Sequence, residues 1–147
     1  MAKVARAARV ASRQRPESVS ADKTIAQAEA GELYLIDAST AATNFTITLP
    51  TCEEGAYFTF LLVADSAANS QVLIDAGSGV TIKGTTVIMP AGTTASDAQH
   101  VVKANHSNRR LAFGDSAKIG DIVELVSDGS NWFIVKAEAS VAFTTSI

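Results

Sequence analysis

Apolar and polar residues alternate with a period of two along much of this chain. The clearest case is the segment 44–50, NFTITLP, in which Phe45, Ile47 and Leu49 share one face and two threonines share the other. A period of two is typical of a strand with one buried face. Pro50 ends the pattern because proline donates no hydrogen bond to a ladder. Residues 44–50 are therefore predicted to form a strand.

Other segments repeat this pattern between turn residues. Residues 56–65 are apolar almost throughout and are predicted to form a central strand, and residues 33–39 are apolar on both faces. The remaining predicted strands are 72–76, 80–84, 85–92, 121–126, 131–137 and the apolar tail 140–147. Turns spaced by about 8–12 residues are the rhythm of antiparallel sandwiches and barrels. The predicted fold class is all-β, as an antiparallel β-sandwich or a small jelly-roll-like β-barrel.

The segment 120–137, GDIVELVSDGSNWFIVKA, is predicted to be a hairpin. Asp128-Gly129 is a strong turn pair, since glycine supplies the positive φ that tight turns need. Trp132, the chain's one tryptophan, begins the returning strand. Because its ring buries a large area, we expect it to cap a core that includes Phe58 and Phe60. The alternative is a solvent-facing Trp132 that stacks on a sugar.

Two segments lack the strand pattern. Residues 1–31 are predicted to be a basic N-terminal arm, extended or partly helical, and a polar connector, ahead of a β domain over residues 32–147. Residues 91–119 contain many turn formers and are predicted to be a long loop. Because loops of this length are commonly functional or lie against a partner, four side chains in it are expected to make surface contacts: His100, His106, Arg109 and Arg110.

The net charge of −3 hides an uneven distribution. The first fifteen residues contain no acid and carry Lys3, Arg6, Arg9, Arg13 and Arg15. Nucleic-acid binding is disfavoured because no aromatic residues are interleaved and the rest of the chain is acidic. Membrane binding is disfavoured because only alanine and valine lie opposite the cations. We interpret the segment as an assembly arm that docks on an acidic protein surface.

The residues show no motif of catalysis or cofactor binding. Two carboxylates, Asp65 and Asp75, flank a predicted turn, but acids at turns are commonplace. A hydrolase triad would have to be drawn from His100, His106, Asp97, Asp115 and Ser116, without a nucleophile motif, and the histidine spacing does not match a zinc site. Cys52 is expected to be a small buried or half-buried apolar residue. We therefore expect no enzymatic activity, no cofactor and no metal.

The chain also lacks the signals of membrane insertion and secretion. No apolar run reaches the roughly 18 residues that span a bilayer, and no hydrophobic stretch follows the basic start. With 47% hydrophobic and 18% charged residues, the composition is that of a globular domain, not of a disordered chain.

Three segments together resemble a known module. They are FTITLPTCEEGAYFTFLLV, VLIDAGSGVTIKG and GDIVELVSDGSNWFIV, within residues 44–136. The order of a strand ending in TLP, a glycine turn, a hairpin over Gly77–Gly84 and a hairpin over Ser127–Trp132 resembles a β module of tailed-bacteriophage virion proteins. That resemblance implies a homotrimer. A single module of this size is most similar to a capsid decoration, or cement, protein.

The resemblance implies a non-enzymatic role on the virion. We expect the protein, assembled in the host cytoplasm, to bind the outer surface of the capsid at junctions between major capsid proteins and to stabilise it. The expected partners are the major capsid protein and other copies of this chain. The alternative is a short tail fibre or spike component that recognises glycans through Trp132, Tyr57 or residues 91–119.

Overall fold

A computed structural model describes residues 16–39, 44–89 and 102–146 of the chain, which form two β-sheets around one apolar core. The predicted all-β fold class is confirmed. The strands are β1 Pro16–Val19, β2 Lys23–Thr24, β3 Leu33–Asp37, β4 Phe45–Thr48, β5 Tyr57–Ala64, β6 Val72–Asp75, β7 Ile82–Ile88, β8 Val102–Asn108, β9 Arg110–Phe113, β10 Ile122–Ser127, β11 Trp132–Ala139 and β12 Thr144–Ser146. A single 3-10 turn, Gln27–Glu29, lies between β2 and β3.

The strands divide into a seven-stranded sheet and a five-stranded sheet, here called the large sheet and the small sheet. The order in the large sheet is β1-β3-β5-β10-β11-β7-β8, and the order in the small sheet is β12-β9-β6-β4-β2. In the part of the chain that the structure describes, no helix is both long enough and apolar enough to cross a membrane.

From β1 to β6 the chain winds as a coil that alternates between the two sheets. In the large sheet β1, β3 and β5 are parallel neighbours, and in the small sheet β2, β4 and β6 are parallel neighbours. Parallel strands need a crossover that carries the chain back to the same end, and here a strand of the opposite sheet provides it. The later strands β9 and β10 close the coil antiparallel to β6 and β5.

Two sheets around one core agree with the predicted sandwich, whereas the winding corrects the prediction that its strands are antiparallel. Both sheets are mixed, and five of the ten ladders among the described strands are parallel. Alternation of apolar and polar residues reports which face of a strand is buried, and it carries no information on the direction of the neighbouring strand. The sequence pattern located several of the turns, but it did not identify the strands that the turns bring together.

The same kind of side-chain to backbone hydrogen bond occurs twice where the coil enters the small sheet. Asp22 precedes β2, and its Oδ1 accepts a hydrogen bond of 2.7 Å from the N–H of Thr46 in the next turn of the coil. Asn44 precedes β4, and its Oδ1 accepts one of 2.8 Å from the N–H of Gln71 one turn further on. Each side-chain oxygen therefore extends the parallel ladder by one bond beyond the strand.

The predicted connector and loop are both part of the folded domain where the structure describes them. Val19 of β1 and Ile25 after β2 are buried in the core, so part of the predicted connector is packed into the β domain. Within the predicted loop 91–119, residues 102–113 contain β8 and β9. The sequence of β8, VKANHSN, is largely polar and β9 has only four residues, which is why the sequence pattern resembled a connection. Residues 90–101 lie outside the described part.

The predicted hairpin over Gly77–Gly84 is also corrected. The strand before it, β6, belongs to the small sheet, whereas β7 belongs to the large sheet and runs through the predicted break as one strand. Gly84, with φ of +139°, lies against β11, and a Cβ atom at this position would come within 2.8 Å of the Ile134 Cβ. Glycine is thus required there by a close approach of two strands and not by a turn.

Four aromatic side chains form the centre of the core. Trp132, Phe58, Phe60 and Tyr34 are each 0% exposed. The Phe58 ring lies 5.5 Å from the Trp132 ring and 6.4 Å from the Phe60 ring, and Tyr34 stacks on Phe60 at 5.5 Å between centroids. The prediction of Trp132, Phe58 and Phe60 as core residues is confirmed, and a wholly buried Trp132 has no face on which a sugar can stack.

Replacing Trp132 by alanine should destabilise the fold strongly. A buried aromatic residue truncated to alanine typically lowers the free energy of unfolding by about 3–5 kcal/mol, through lost burial and a residual cavity. Urea denaturation followed by circular dichroism measures the change. The matched control is Val135→Ala on the same strand, where the side chain is 65% exposed and the expected loss is small. Equal stability of the two variants would contradict the core role of Trp132.

Candidate functional site

The large sheet has an apolar surface on the side that faces away from the core. Side chains of β3, β5, β10 and β11 that alternate with the buried ones point to this side. We call the following set the outer apolar face: Leu33, Leu35, Tyr57, Leu61, Val63, Ile122, Val126 and Phe133.

Strand register aligns these residues in rows across the sheet. Leu35 lies opposite Leu61, and Leu61 lies opposite Ile122, which forms one row over three neighbouring strands. A second row runs through Tyr57, Val126 and Phe133. Apolar contact is continuous along each row, because cross-strand neighbours are only about 5 Å apart, and the two rows together form the patch.

The patch is accessible at its margins. Tyr57 is 53% exposed, Val63 is 38% exposed and Phe133 is 36% exposed. Between the two rows the register aligns Thr59 with Glu124, and Glu124 with Lys136, so the charged positions inside the patch are of opposite sign. Continuous apolar patches that carry few charges are typical of protein interaction surfaces.

The small sheet shows the opposite character on its outward side. Thr46 and Thr48 of β4 alternate there with buried residues, and Asp75 and Arg110 lie opposite each other on β6 and β9. Threonine hydroxyls and the two half-exposed arginines are polar groups that water can solvate. The apolar character of the outer apolar face is therefore a property of one sheet and not of both.

Arg109 and Arg110, expected to make contacts with a partner, are held by an internal acid. Asp75 is buried, and its carboxylate accepts hydrogen bonds from Arg109 Nε at 2.7 Å and Nη2 at 2.8 Å, and from Arg110 Nε at 2.8 Å. The N–H of Gly77 donates a further bond of 2.8 Å. Burial would raise the pKa of Asp75, but these donors outweigh it and hold the pKa below its ordinary value.

The Asp75 network fastens β9 onto the end of the coil. It joins β6, which ends the coil, to the segment that leaves β8 and enters β9. The two arginines keep side-chain exposures of 38% and 34%, so they lie at the surface as predicted, but their geometry is set by Asp75. In the described structure the two arginines pair the buried charge of Asp75.

Replacing Asp75 by asparagine should destabilise the protein by about 3 kcal/mol at neutral pH, because a buried pair loses one partner. The folded-state pKa of Asp75 lies below the unfolded value of about 3.9, so this stabilisation is present above that pH and is lost as the pH falls through the folded pKa. Unfolding free energies measured from pH 7 to pH 2 should fall less steeply for Asp75→Asn than for the native chain. Parallel curves would contradict the assignment.

The described residues do not assemble the hydrolase triad considered from the sequence. The His106 ring lies 2.7 Å from the Thr86 hydroxyl, and burial lowers the pKa of this histidine. Ser116 Oγ donates a hydrogen bond to its neighbour Asp115, whereas the hydroxyl that contacts His106 belongs to Thr86. His100 and Asp97 lie outside the described residues.

The two carboxylates considered for glycosidase chemistry belong to separate networks. Asp65 accepts hydrogen bonds from the Ile119 N–H and from Lys118 Nζ, both at 2.9 Å, whereas Asp75 binds the arginine pair. The N–H of Ile119, followed by Lys118, lowers the pKa of Asp65. Cys52 is half-buried, as predicted.

A cleft opens beside the outer apolar face, where β11 separates from β7. The β10–β11 register shifts between Glu124 and Leu125, so that β11 bulges, and the β7–β11 ladder is interrupted between Phe133 and Glu138. The resulting open cavity has a volume of about 530 Å³ and is lined by Thr85, Val87, Asn105, Val135, Lys136, Ala137 and Glu138. Bulges often lie beside binding sites because they redirect side chains.

The outer apolar face was not identified from the sequence, although a signal for it was present. Residues 33–39 and 56–65 are apolar on both faces, which a strand with one solvated side does not require. The arm residues Lys3, Arg6, Arg9, Arg13 and Arg15 lie outside the described part of the chain.

Comparisons with models of protein families, with curated proteins and with solved structures found no match to this chain. Function is therefore inferred from the residues and their arrangement.

Proposed function

We propose that this chain is a non-enzymatic structural protein of a tailed-bacteriophage virion. It decorates the outer surface of the capsid as a homotrimer, bound at junctions between major capsid proteins, and it stabilises the shell. The observation that carries the proposal is the outer apolar face, whose composition is typical of surfaces that contact other proteins. The resemblance of residues 44–136 to a phage virion module supplies the class of particle.

The composition of the outer apolar face favours other copies of this chain as its binding partners. The rows of Leu35–Leu61–Ile122 and Tyr57–Val126–Phe133 expose aliphatic and aromatic groups, and the intervening row pairs an acid with a base. Burial of such rows contributes about 25 cal/mol per Å² of apolar area removed from water. A specific interface removes about 800 Å² per partner, which is an area that one face of a seven-stranded sheet can supply.

Charge in the outer apolar face should dissociate the trimer. The double variant Leu61→Lys, Val126→Lys places two cations where we expect desolvation on assembly, and both positions point away from the core, so the fold should persist. Light scattering coupled to size-exclusion chromatography should give a trimer mass for the native chain and a monomer mass for the variant.

The matched control for this experiment lies on the other sheet. Thr46→Lys, Thr48→Lys changes two outward positions of the small sheet and should leave the trimer intact. A native chain that is monomeric at micromolar concentration, or a control that dissociates equally, would refute the assignment of this face.

Capsid binding is assigned to the basic arm and to apolar contacts. The five cations of residues 1–15 contrast with the rest of the chain, in which fifteen acidic residues outnumber the other seven basic ones. Complementary charge steers association and fixes orientation, whereas apolar burial supplies most of the free energy. Many weakly bound copies on one shell together add appreciable stability.

Reversing the charge of the arm should abolish capsid binding without unfolding the body. In the full-length triple variant Arg6→Glu, Arg9→Glu, Arg13→Glu, repulsion from an acidic docking surface replaces attraction. Co-sedimentation with undecorated capsids should show loss of binding, and the native chain should bind more weakly as salt rises from about 50 to 500 mM, because ions screen exposed charges. Binding that is unchanged in the variant would remove the arm from the mechanism.

The second candidate function is recognition of glycans by a short tail fibre or spike component. The cleft between β7 and β11 favours it, since Thr85, Asn105, Lys136 and Glu138 offer hydrogen-bonding groups around an open cavity of about 530 Å³. Trp132 does not contribute, because it is fully buried. Quantitative mass spectrometry of purified virions separates the two functions: hundreds of copies per particle support decoration of the head, and a handful support a tail component and direct attention to a glycan array.

A further inference from the structure

Three glutamates meet at the open end of the coil. Glu17 lies on β1, Glu29 lies in the 3-10 turn, and Glu32 directly precedes β3. One carboxylate oxygen from each lies within 4.8 Å of the other two, and all three residues are half-buried. We call these residues the end cluster.

Lys23 neutralises part of this charge. From β2 of the small sheet, its Nζ lies 2.9 Å from Glu17 Oε1 and 3.0 Å from Glu29 Oε1. Burial would lower the pKa of Lys23, but the hydrogen bonds to these two glutamates raise it above its ordinary value. One ammonium among three carboxylates leaves the end cluster with two negative charges.

A buried tyrosine with an unpartnered hydroxyl lies beside the end cluster. Tyr34 lies opposite Glu17 in the ladder between β1 and β3, and its side chain is 0% exposed. Lys23 Nζ, which contacts Glu17 and Glu29, lies 5.5 Å from the centre of the Tyr34 ring, so the ring borders the cluster. The Tyr34 hydroxyl oxygen has no hydrogen-bond partner among the described residues. Burial, followed by the charges of the three glutamates, raises the pKa of Tyr34. Buried polar groups without partners are rare and call for an explanation.

The donor set identifies the kind of ligand. Three carboxylates and a hydroxyl are hard oxygen ligands, which suit Ca²⁺, Mg²⁺ or Mn²⁺ and not soft metals. Ca²⁺ tolerates irregular geometry and takes six to eight oxygens, whereas Mg²⁺ demands a near-ideal octahedron and keeps several waters. Two uncompensated negative charges are what a divalent ion neutralises.

We propose that the end cluster is a calcium site, in which Glu17, Glu29, Glu32 and the hydroxyl of Tyr34 bind the ion and Lys23 Nζ moves aside. The ion joins β1, the 3-10 turn and the start of β3, and so it fastens the first turn of the coil. The site is independent of the proposed function, and it departs from the sequence-based expectation of no metal.

Calcium binding is tested on the full-length chain by isothermal titration calorimetry and by thermal unfolding in CaCl₂ and in EDTA. The native chain should bind about one equivalent of Ca²⁺ and unfold at a higher temperature in its presence, since an ion that binds only the folded state stabilises it. Glu32→Gln removes the carboxylate that Lys23 does not contact, so it should lower the Ca²⁺ affinity at least tenfold. The matched control, Glu124→Gln on β10, should bind Ca²⁺ like the native chain.

A second variant distinguishes a metal site from an internal ion-pair network. Lys23→Gln removes the ammonium that competes with the metal, so its Ca²⁺ affinity should be several-fold higher than that of the native chain. A network that serves only to join the sheets would instead lose stability in this variant with no effect of Ca²⁺. Absence of calorimetric heat and of a calcium-dependent rise in melting temperature in the native chain, or an unchanged affinity in Glu32→Gln, overturns the proposal.

Discussion

Parallel stacking of the coil is the constraint on which the rest of the structure depends. Each turn contributes one strand to the large sheet and one to the small sheet, and both must stay in register with the turn before. The backbone ladders supply part of this register, Asp22 and Asn44 extend it by side-chain bonds, and the packing of Tyr34 on Phe60 fixes it in the core. A slip of one residue would turn every buried side chain outward, so register and burial enforce each other.

A stacked coil of this kind has two outer surfaces and two ends, and these regions differ in their side chains. The small sheet presents threonines and the arginine partners of the buried Asp75 to water, whereas the large sheet presents the rows of the outer apolar face. The strands closing the coil, β10 and β11, continue those rows through Val126 and Phe133, so the apolar surface extends beyond the coil itself. The apolar outer surface of the large sheet is the physical basis of the proposed trimer.

The polar networks lie at the two ends of the coil, and they compensate the charge of their carboxylates to different extents. At the β6 end the carboxylate of Asp75 receives four hydrogen bonds and two arginines, so its charge is fully compensated. At the β1 end a single lysine contacts two of the three glutamates, beside a hydroxyl without a partner. The Asp75 network shows that this fold is able to pair a buried charge fully. The two uncompensated negative charges at the end cluster therefore support the proposed calcium site.

The sequence alone determined the strands whose apolar residues alternate, such as 44–50, and the tight turn at Asp128-Gly129, because these are properties of a few consecutive residues. It also placed Trp132, Phe58 and Phe60 in the core, since large aromatic side chains are buried in almost any arrangement of the strands. It did not reveal β1 and β2, the strands inside residues 91–119, or the parallel pairing. Only the tertiary structure decided which strands are neighbours, because pairing depends on contacts between residues far apart in the chain. For the same reason it alone brought Glu17, Glu29 and Glu32 together and joined Leu35, Leu61 and Ile122 into one surface.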